Sequence, residues 1–182
     1  MKGMVIVDRD GVINEDSDDY IKSPEEWIPI DGSLEAIGRL KKAGYGVAVA
    51  TNQSGIARGY FDLEMLDKMH QKMNDLLAQR GVSVDGIFYC PHSPTDNCVC
   101  RKPKPGLLLQ IAQQFGIDLK ETFFVGDSLS DIQAAKMAGA RPVLVRTGKG
   151  LRTLEKNSGI DGVPVYENLV GFVREFLRTP HV

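Results

Sequence analysis

The sequence predicts an α/β fold: a Rossmann-like parallel sheet with helices on both faces and no cap domain. Three observations carry this. Short apolar runs alternate with longer segments of helical periodicity, the rhythm of βα units. No insertion long enough for a lid separates the first two apolar runs or the next two. Acids, hydroxyls and a lysine follow the runs immediately, where ligands gather in open α/β sheets.

Met4 to Val7 reads as the first buried strand. Asp31-Gly32-Ser33 opens a helix with Ser33 as its cap, Leu34, Ile37 and Leu40 as its apolar face, and Gly44 as its stop. Gly46 to Ala50 is the second strand. Phe61 to Arg80 is a long helix with Leu63, Leu66, Met69, Met73, Leu76 and Leu77 at helical spacing. Gly86 to Tyr89 is the third strand, and Leu107 to Phe115 a helix stopped by Gly116. Thr122 to Val125 is the fourth strand, and Leu129 to Ala138 a helix ended by Gly139. Pro142 to Val145 and Val163 to Tyr166 are further strands, and Asn168 to Leu177 is the last helix. Glu15 to Glu26, Ser93 to Asn97 and Gly148 to Gly162 are expected to be the flexible pieces.

The 182 residues suit one domain, residues 1–182. A hydrophobic share of 42% and a charged share of 25% describe a soluble globular chain. A net charge of −2 argues against a nucleic-acid coat or an anionic-membrane binder. No run approaches the roughly 20 apolar residues of a membrane span. The N-terminus is apolar only from Gly3 to Val7, too short for a signal peptide. Cys90, Cys98 and Cys100 are odd in number and share one loop, which fits a reducing, cytoplasmic setting better than a disulfide framework. A monomer is expected.

The strand ends carry the chemistry. Asp8-Arg9-Asp10-Gly11 follows the first strand, Thr51-Asn52-Gln53-Ser54-Gly55 the second, a Cys/His loop ending in Arg101-Lys102-Pro103 the third, and Gly126-Asp127-Ser128 the fourth, with Asp131 four residues past Asp127. Asp8 and Asp127 brought together would repel, and a divalent cation removes that penalty. Mg²⁺ prefers such carboxylates together with waters and phosphate oxygens. With that charge and Lys102 neutralising a phosphate, Asp8 can attack phosphorus. Asp10 can protonate the leaving oxygen and later take a proton from water. Thr51 and the amides of its loop can donate to the phosphoryl oxygens.

Asp8-x-Asp10-Gly11, Thr51-Asn52, Lys102 and Gly126-Asp127-x-x-x-Asp131 resemble the four motifs of the haloacid dehalogenase superfamily of phosphatases. The resemblance implies Asp8 as nucleophile and Asp10 as general acid/base. It implies Mg²⁺ on Asp8, the backbone carbonyl of Asp10, and Asp127, with Asp131 supporting the metal waters or orienting the loop.

Cys90-Pro91-His92 and Cys98-Val99-Cys100 bring four soft ligands into eleven residues, the signature of a closed, structural zinc site. Such a site would stiffen the loop that delivers Arg101 and Lys102. With the segment from Thr51 to Gly59 and Cys100-Arg101-Lys102-Pro103, this loop resembles the capless heptose bisphosphate phosphatases and, more distantly, the histidinol-phosphate phosphatases. The resemblance implies removal of the 7-phosphate from a heptose 1,7-bisphosphate in the making of nucleotide-activated heptose for lipopolysaccharide core. Arg101 would recognise the second phosphate or sugar hydroxyls. Asp16, Asp19, Tyr20, Asn52, Gln53, Ser54 and Ser128 would join Thr51 and Lys102 around the substrate.

Competing readings are another metabolite phosphatase, a nucleic-acid 3′-phosphatase, and a silent zinc-stabilised scaffold. No basic groove or aromatic stacking series supports nucleic acid, and intact Asp8, Asp10, Thr51, Lys102 and Asp127 count against the scaffold. His70 is expected at a surface or edge, His181 in a disordered terminus, Trp27 as a packing anchor, and Met65, Met69 and Met73 as core filler. Arg146 and Lys149 are either solvated or help to hold an anionic substrate.

Overall fold

Period-two alternation inside each strand decides how the sheet is covered. In the computed structural model, which describes residues 1–179, strand β1 (Met4–Val7) sends Val5 and Val7 to one face and Met4 and Ile6 to the other. Strand β2 (Gly46–Asn52) divides the same way, Val47 and Val49 against Ala48 and Ala50. Helices α1 (Ser33–Lys42), α2 (Leu63–Ala78) and α6 (Leu169–Arg178) cover the valine face. Helices α3 (Gly106–Phe115) and α4 (Leu129–Ala138) cover the other. α6 buries Leu169, Phe172, Val173 and Phe176. At about 1.5–3 kcal/mol for each such side chain, burial and not helix propensity holds it in place.

Strands β3 (Gly86–Cys90), β4 (Phe123–Gly126), β5 (Arg141–Val145) and β6 (Val165–Tyr166) complete one six-stranded sheet in the order β3-β2-β1-β4-β5-β6. All five pairings are parallel. The order reverses at β1, so the ends of β1 and β4 lie side by side at the switch point where such sheets bind ligands. Only a loop and α1 separate β1 from β2, and only α2 separates β2 from β3. Among the described residues no cap domain covers that rim. Among the described residues, no helix is long and apolar enough to cross a membrane.

Several local expectations need correction. Gly32, at φ 76°, occupies the N-cap of α1, a backbone state in which L side chains are strained. Ser33 is the first helical residue, and its hydroxyl donates instead to the Ile13 carbonyl at 2.6 Å. α2 starts at Leu63, after Asp62 has capped the Met65 N–H at 2.9 Å. Thr122 stands outside β4, and its hydroxyl donates to the Asp118 carbonyl. The stretch 148–162 contains helix α5 (Gly150–Lys156), whose seven residues are too few to reveal a helical period. Trp27 is fully buried, and Met69 and Met73 are core, whereas Met65 is only partly buried beside it. His181 lies outside the described residues.

Candidate active site

Three of the four segments singled out at strand ends converge on one buried lysine. Asp8 continues β1 by donating its N–H to the Val125 carbonyl of β4. Its Oδ1 accepts from the Arg9 N–H at 2.7 Å and lies 3.0 Å from the Lys102 ammonium. That ammonium also donates to Asp131 Oδ1 at 2.7 Å and to the Ala50 carbonyl at 2.9 Å. Its three protons are thereby directed. Asn52 fixes the lysine's backbone reciprocally: its Oδ1 accepts from the Lys102 N–H and its Nδ2 donates to the Lys102 carbonyl, both at 3.0 Å. Asn52 lines the cavity as expected, but both of its amide atoms are engaged in holding Lys102.

The charges do not balance. Asp8, Asp127 and Asp131 have carboxylate oxygens within 4.8 Å of one another, all buried. Burial, with the neighbouring Asp131 charge, pushes the Asp8 carboxyl from its ordinary 3.8 up to about 8, although Lys102 opposes the rise. Burial, with Asp131 and Asp8, also raises Asp127 well above the ordinary range. Burial opposes the charges of Asp131 and Lys102 too, but their mutual attraction outweighs it, holding Asp131 down and Lys102 up. One lysine among three carboxylates leaves room for a cation, and hard oxygen donors suit Mg²⁺. Asp131 is the least available ligand. Oδ1 takes the lysine, and Oδ2 takes the Asp127 N–H, the Ser128 N–H and the Ser128 hydroxyl. Asp8 and Asp127 therefore fit the metal, and Asp131 caps α4 and positions Lys102.

Asp127 in turn sits in a glycine cradle. Its Oδ2 accepts from the Lys149 N–H at 2.8 Å. Gly11 and Gly148 have φ of 85° and 58°, and a Cβ on either would collide with the Asp127 carboxylate.

A folded state that binds protons more tightly than the unfolded chain loses stability as pH rises. The metal-free protein should therefore weaken from about pH 4 to about pH 8 as Asp8 is forced to ionise. Mg²⁺ should raise the melting temperature more at about pH 8 than at about pH 5. A pH-independent Mg²⁺ shift in calorimetry would place the cation elsewhere.

Asp10 faces away from that cluster. Its Oδ1 accepts from Arg9 Nε (3.0 Å), Arg9 Nη2 (2.9 Å) and Asn14 Nδ2 (2.8 Å). Its Oδ2 accepts from Gln53 Nε2 at 3.0 Å. Gln53 also donates to the Thr51 hydroxyl at 2.9 Å, tying the two residues together. Burial opposes the Asp10 charge, but Arg9, Asn14 and Gln53 overcome it and lower the pKa. Arg9 is fully buried, and its Nη1 lies 3.2 Å from His70 Nε2. His70, expected at a surface or edge, is therefore buried behind the site. The clue was in the spacing: position 70 falls between Leu66 and Met73 on the buried stripe of α2.

The cavity over these groups measures about 340 Å³, small enough for a single metabolite. Asp16, Tyr20, Thr51, Gln53, Ser54, Arg101 and Ser128 line it with the residues above. Asp19 does not; it is exposed, and its carbonyl accepts from the Lys22 ammonium. Ser17 and Asp18, within the segment from Asp16 to Tyr20 expected beside the sugar, also line it, as do Ile21, Ser130 and Lys149, which the sequence left open or did not point to. Lys149 reaches Asp16 at 3.4 Å, whereas Arg146 turns to Glu167 at 2.9 Å and stands apart. Tyr20 adopts φ 67°, and its ring lies 5.1 Å from that of Tyr60 with the Arg58 guanidinium 5.8 Å from its centre.

Cys90, His92, Cys98 and Cys100 bring one donor atom each within 4.8 Å of one another. Cys90 and Cys98 sulfurs are 3.6 Å apart, near the roughly 3.8 Å edge of a tetrahedron with Zn–S bonds of about 2.3 Å. Cys100 lies closer to Cys90, at 2.8 Å. The set suits one closed zinc site. It also reaches the active site directly: Cys98 Sγ accepts from the Arg101 N–H, and Arg101 Nη1 donates to the His92 carbonyl, both at 3.4 Å. Purified protein should hold about one zinc per chain. Cys98→Ser should lower that content and cut activity without touching the acids. Full zinc content and full activity in the variant would separate the loop from the site.

The HAD-hydrolase-like family pattern matches residues 99–171. The chain is 54% identical over 177 residues to D-glycero-beta-D-manno-heptose-1,7-bisphosphate 7-phosphatase of Pseudomonas aeruginosa, covering 97% of this chain and 99% of that protein. The Neisseria meningitidis serogroup A protein of the same name is 53% identical, covering 96% of this chain and 95% of the relative. A crystal structure of D,D-heptose 1,7-bisphosphate phosphatase from B. bronchiseptica, complexed with magnesium and phosphate, superposes with a TM-score of 0.94. It is 50% identical, with 96% of this chain and 98% of that one covered.

Proposed function

Because the chain belongs to the D-glycero-beta-D-manno-heptose-1,7-bisphosphate 7-phosphatase family of haloacid dehalogenase-like hydrolases, we propose that it removes the 7-phosphate of that sugar bisphosphate. The observation that carries the chemistry is the buried Lys102 shared by Asp8 and Asp131, beside Asp127 just past the end of β4.

A carboxylate oxygen of Asp8 attacks phosphorus. An acyl-phosphate bond forms as the bond from phosphorus to the C7 oxygen breaks. Asp10, when it carries a proton, gives it to that oxygen and is restored by the proton it takes from the water that attacks the acyl phosphate. Inorganic phosphate leaves and Asp8 is regenerated. Lys102 holds a fixed positive charge beside the phosphoryl oxygens, and the Thr51 hydroxyl offers them a donor. Asp8, Asp127 and the Asp10 carbonyl would hold Mg²⁺, which when bound neutralises the facing carboxylate and phosphate charges. The relative crystallised with magnesium and phosphate supports this. Zinc on Cys90, His92, Cys98 and Cys100 serves structure alone, since protein fills all four positions.

Arg101 remains for the substrate's second phosphate, which a planar guanidinium can grip with two parallel hydrogen bonds. The reading extends to a single catalytic domain over residues 1–182, acting as a cytoplasmic monomer in heptose activation for lipopolysaccharide, without nucleic-acid or membrane partners. The test compares kcat/KM for heptose 1,7-bisphosphate, histidinol phosphate and a 3′-phosphorylated oligonucleotide. The sugar should lead by at least about tenfold, roughly 1.4 kcal/mol of transition-state binding. Arg101→Ala should shrink its lead over simple monophosphates. If another substrate equals the sugar, the substrate assignment fails and the phosphatase reading stands.

A further inference from the structure

Asp10 has two carboxylate oxygens with unequal surroundings. Oδ1 accepts three hydrogen bonds, two of them from one guanidinium, and has no lone pair left for a proton. Oδ2 accepts only from Gln53. The arrangement survives only if the guanidinium stays where it is. Arg9 is fully buried, so its far edge is shielded from bulk solvent. His70 holds that edge: Nε2 lies 3.2 Å from Arg9 Nη1 and must accept, because a guanidinium has donors only. That requires a neutral ring with its proton on Nδ1. Burial and the Arg9 charge keep it so, pushing the imidazole from 6.5 down to about 3 against the pull of Asp10.

We propose that His70 is a positioning residue for the phosphatase reaction: it anchors Arg9, which saturates Asp10 Oδ1 and reserves Oδ2 for proton transfer. The proposal rests on the reading of Asp10 as general acid/base. The relay runs from α2 through the first strand-end loop to the reacting groups, and His70 itself touches no substrate.

The test exploits leaving-group chemistry. kcat/KM reports phosphoenzyme formation, in which an alkoxide of heptose bisphosphate needs a proton and p-nitrophenolate of p-nitrophenyl phosphate does not. His70→Leu should lower kcat/KM for heptose bisphosphate roughly ten- to hundredfold, the usual consequence of a small misplacement. It should lower that for p-nitrophenyl phosphate less than about threefold. His70→Gln, whose amide oxygen can accept from Arg9, should recover most of the difference. Equal losses on both substrates, or no loss on either, overturn the proposal. If His70→Leu fails to fold, the Arg9→Lys variant carries the same comparison. Lys at position 9 keeps the charge but cannot bridge His70 and Asp10 Oδ1 in one plane, so it should show the same selective defect. Asp10→Asn is the control. If it shows no leaving-group selectivity, the acid/base reading falls; if it does and His70→Leu does not, only the role of His70 falls.

Discussion

Asp8→Asn should abolish turnover, with a loss on the order of 10⁴-fold or more, because an amide cannot act as the nucleophile and no second carboxylate can replace it. Asp127 is held by the Lys149 N–H, and Asp131 by Lys102 and the α4 cap. Asp10 is turned toward Arg9. The fold should not suffer. The substitution removes a buried charge whose pKa stands near 8 because burial and Asp131 disfavour its ionised form. At about pH 8 without Mg²⁺ the variant should melt no lower than the parent, and higher if relief of repulsion exceeds the weakened contact with Lys102. Turnover and calorimetry on one preparation check both halves, with deamidation excluded by mass. Substantial turnover in intact Asp8→Asn would remove the covalent route. A large drop in melting temperature would make Asp8 a structural residue as well.

The legible part of this protein was what a strand end displays. Asp8, Asp10, Thr51, Lys102 and Asp127 were readable because short apolar runs locate the rim and the polar residues follow at once. The cluster of Cys90, His92, Cys98 and Cys100 was readable because its side chains are rare and crowded. What escaped depends on distance in sequence. Asn52 was read as a substrate contact, yet both amide atoms clamp Lys102, 50 positions away. His70 lies 61 positions from Arg9, and its helical stripe was visible only as apolar spacing. Lys149 could be placed after a strand, but not against Asp16 and Asp127, since a short helix redirects the chain there. Asp19 failed for the opposite reason: its loop reaches the cavity through its neighbours and turns this side chain outward.

Lys102→Met should damage activity and stability through different charges, and a second substitution should separate them. Methionine is close in length to the lysine stem but carries no charge. Asp8 and Asp131 would then face each other without their shared ammonium, 3.0 and 2.7 Å from it in the parent. Removing one partner of a buried ion pair typically costs about 3–5 kcal/mol, because the charge left behind is uncompensated. The loss should grow with pH. In acid the freed carboxyls can take protons, whereas near pH 8 the Asp131 charge, which Lys102 stabilises in the parent by lowering the carboxyl's pKa, must be borne alone. Activity should fall roughly 10²–10³-fold, as for other preorganised charges at a reacting group. Adding Asp131→Asn removes the stranded charge while leaving an oxygen able to accept the Asp127 and Ser128 N–H groups that cap α4. The double variant should therefore regain most of the lost melting temperature and almost none of the lost kcat. If rate returned together with stability, Lys102 would be only a counter-ion for Asp131, and its contact with the phosphoryl oxygens would have to be given up.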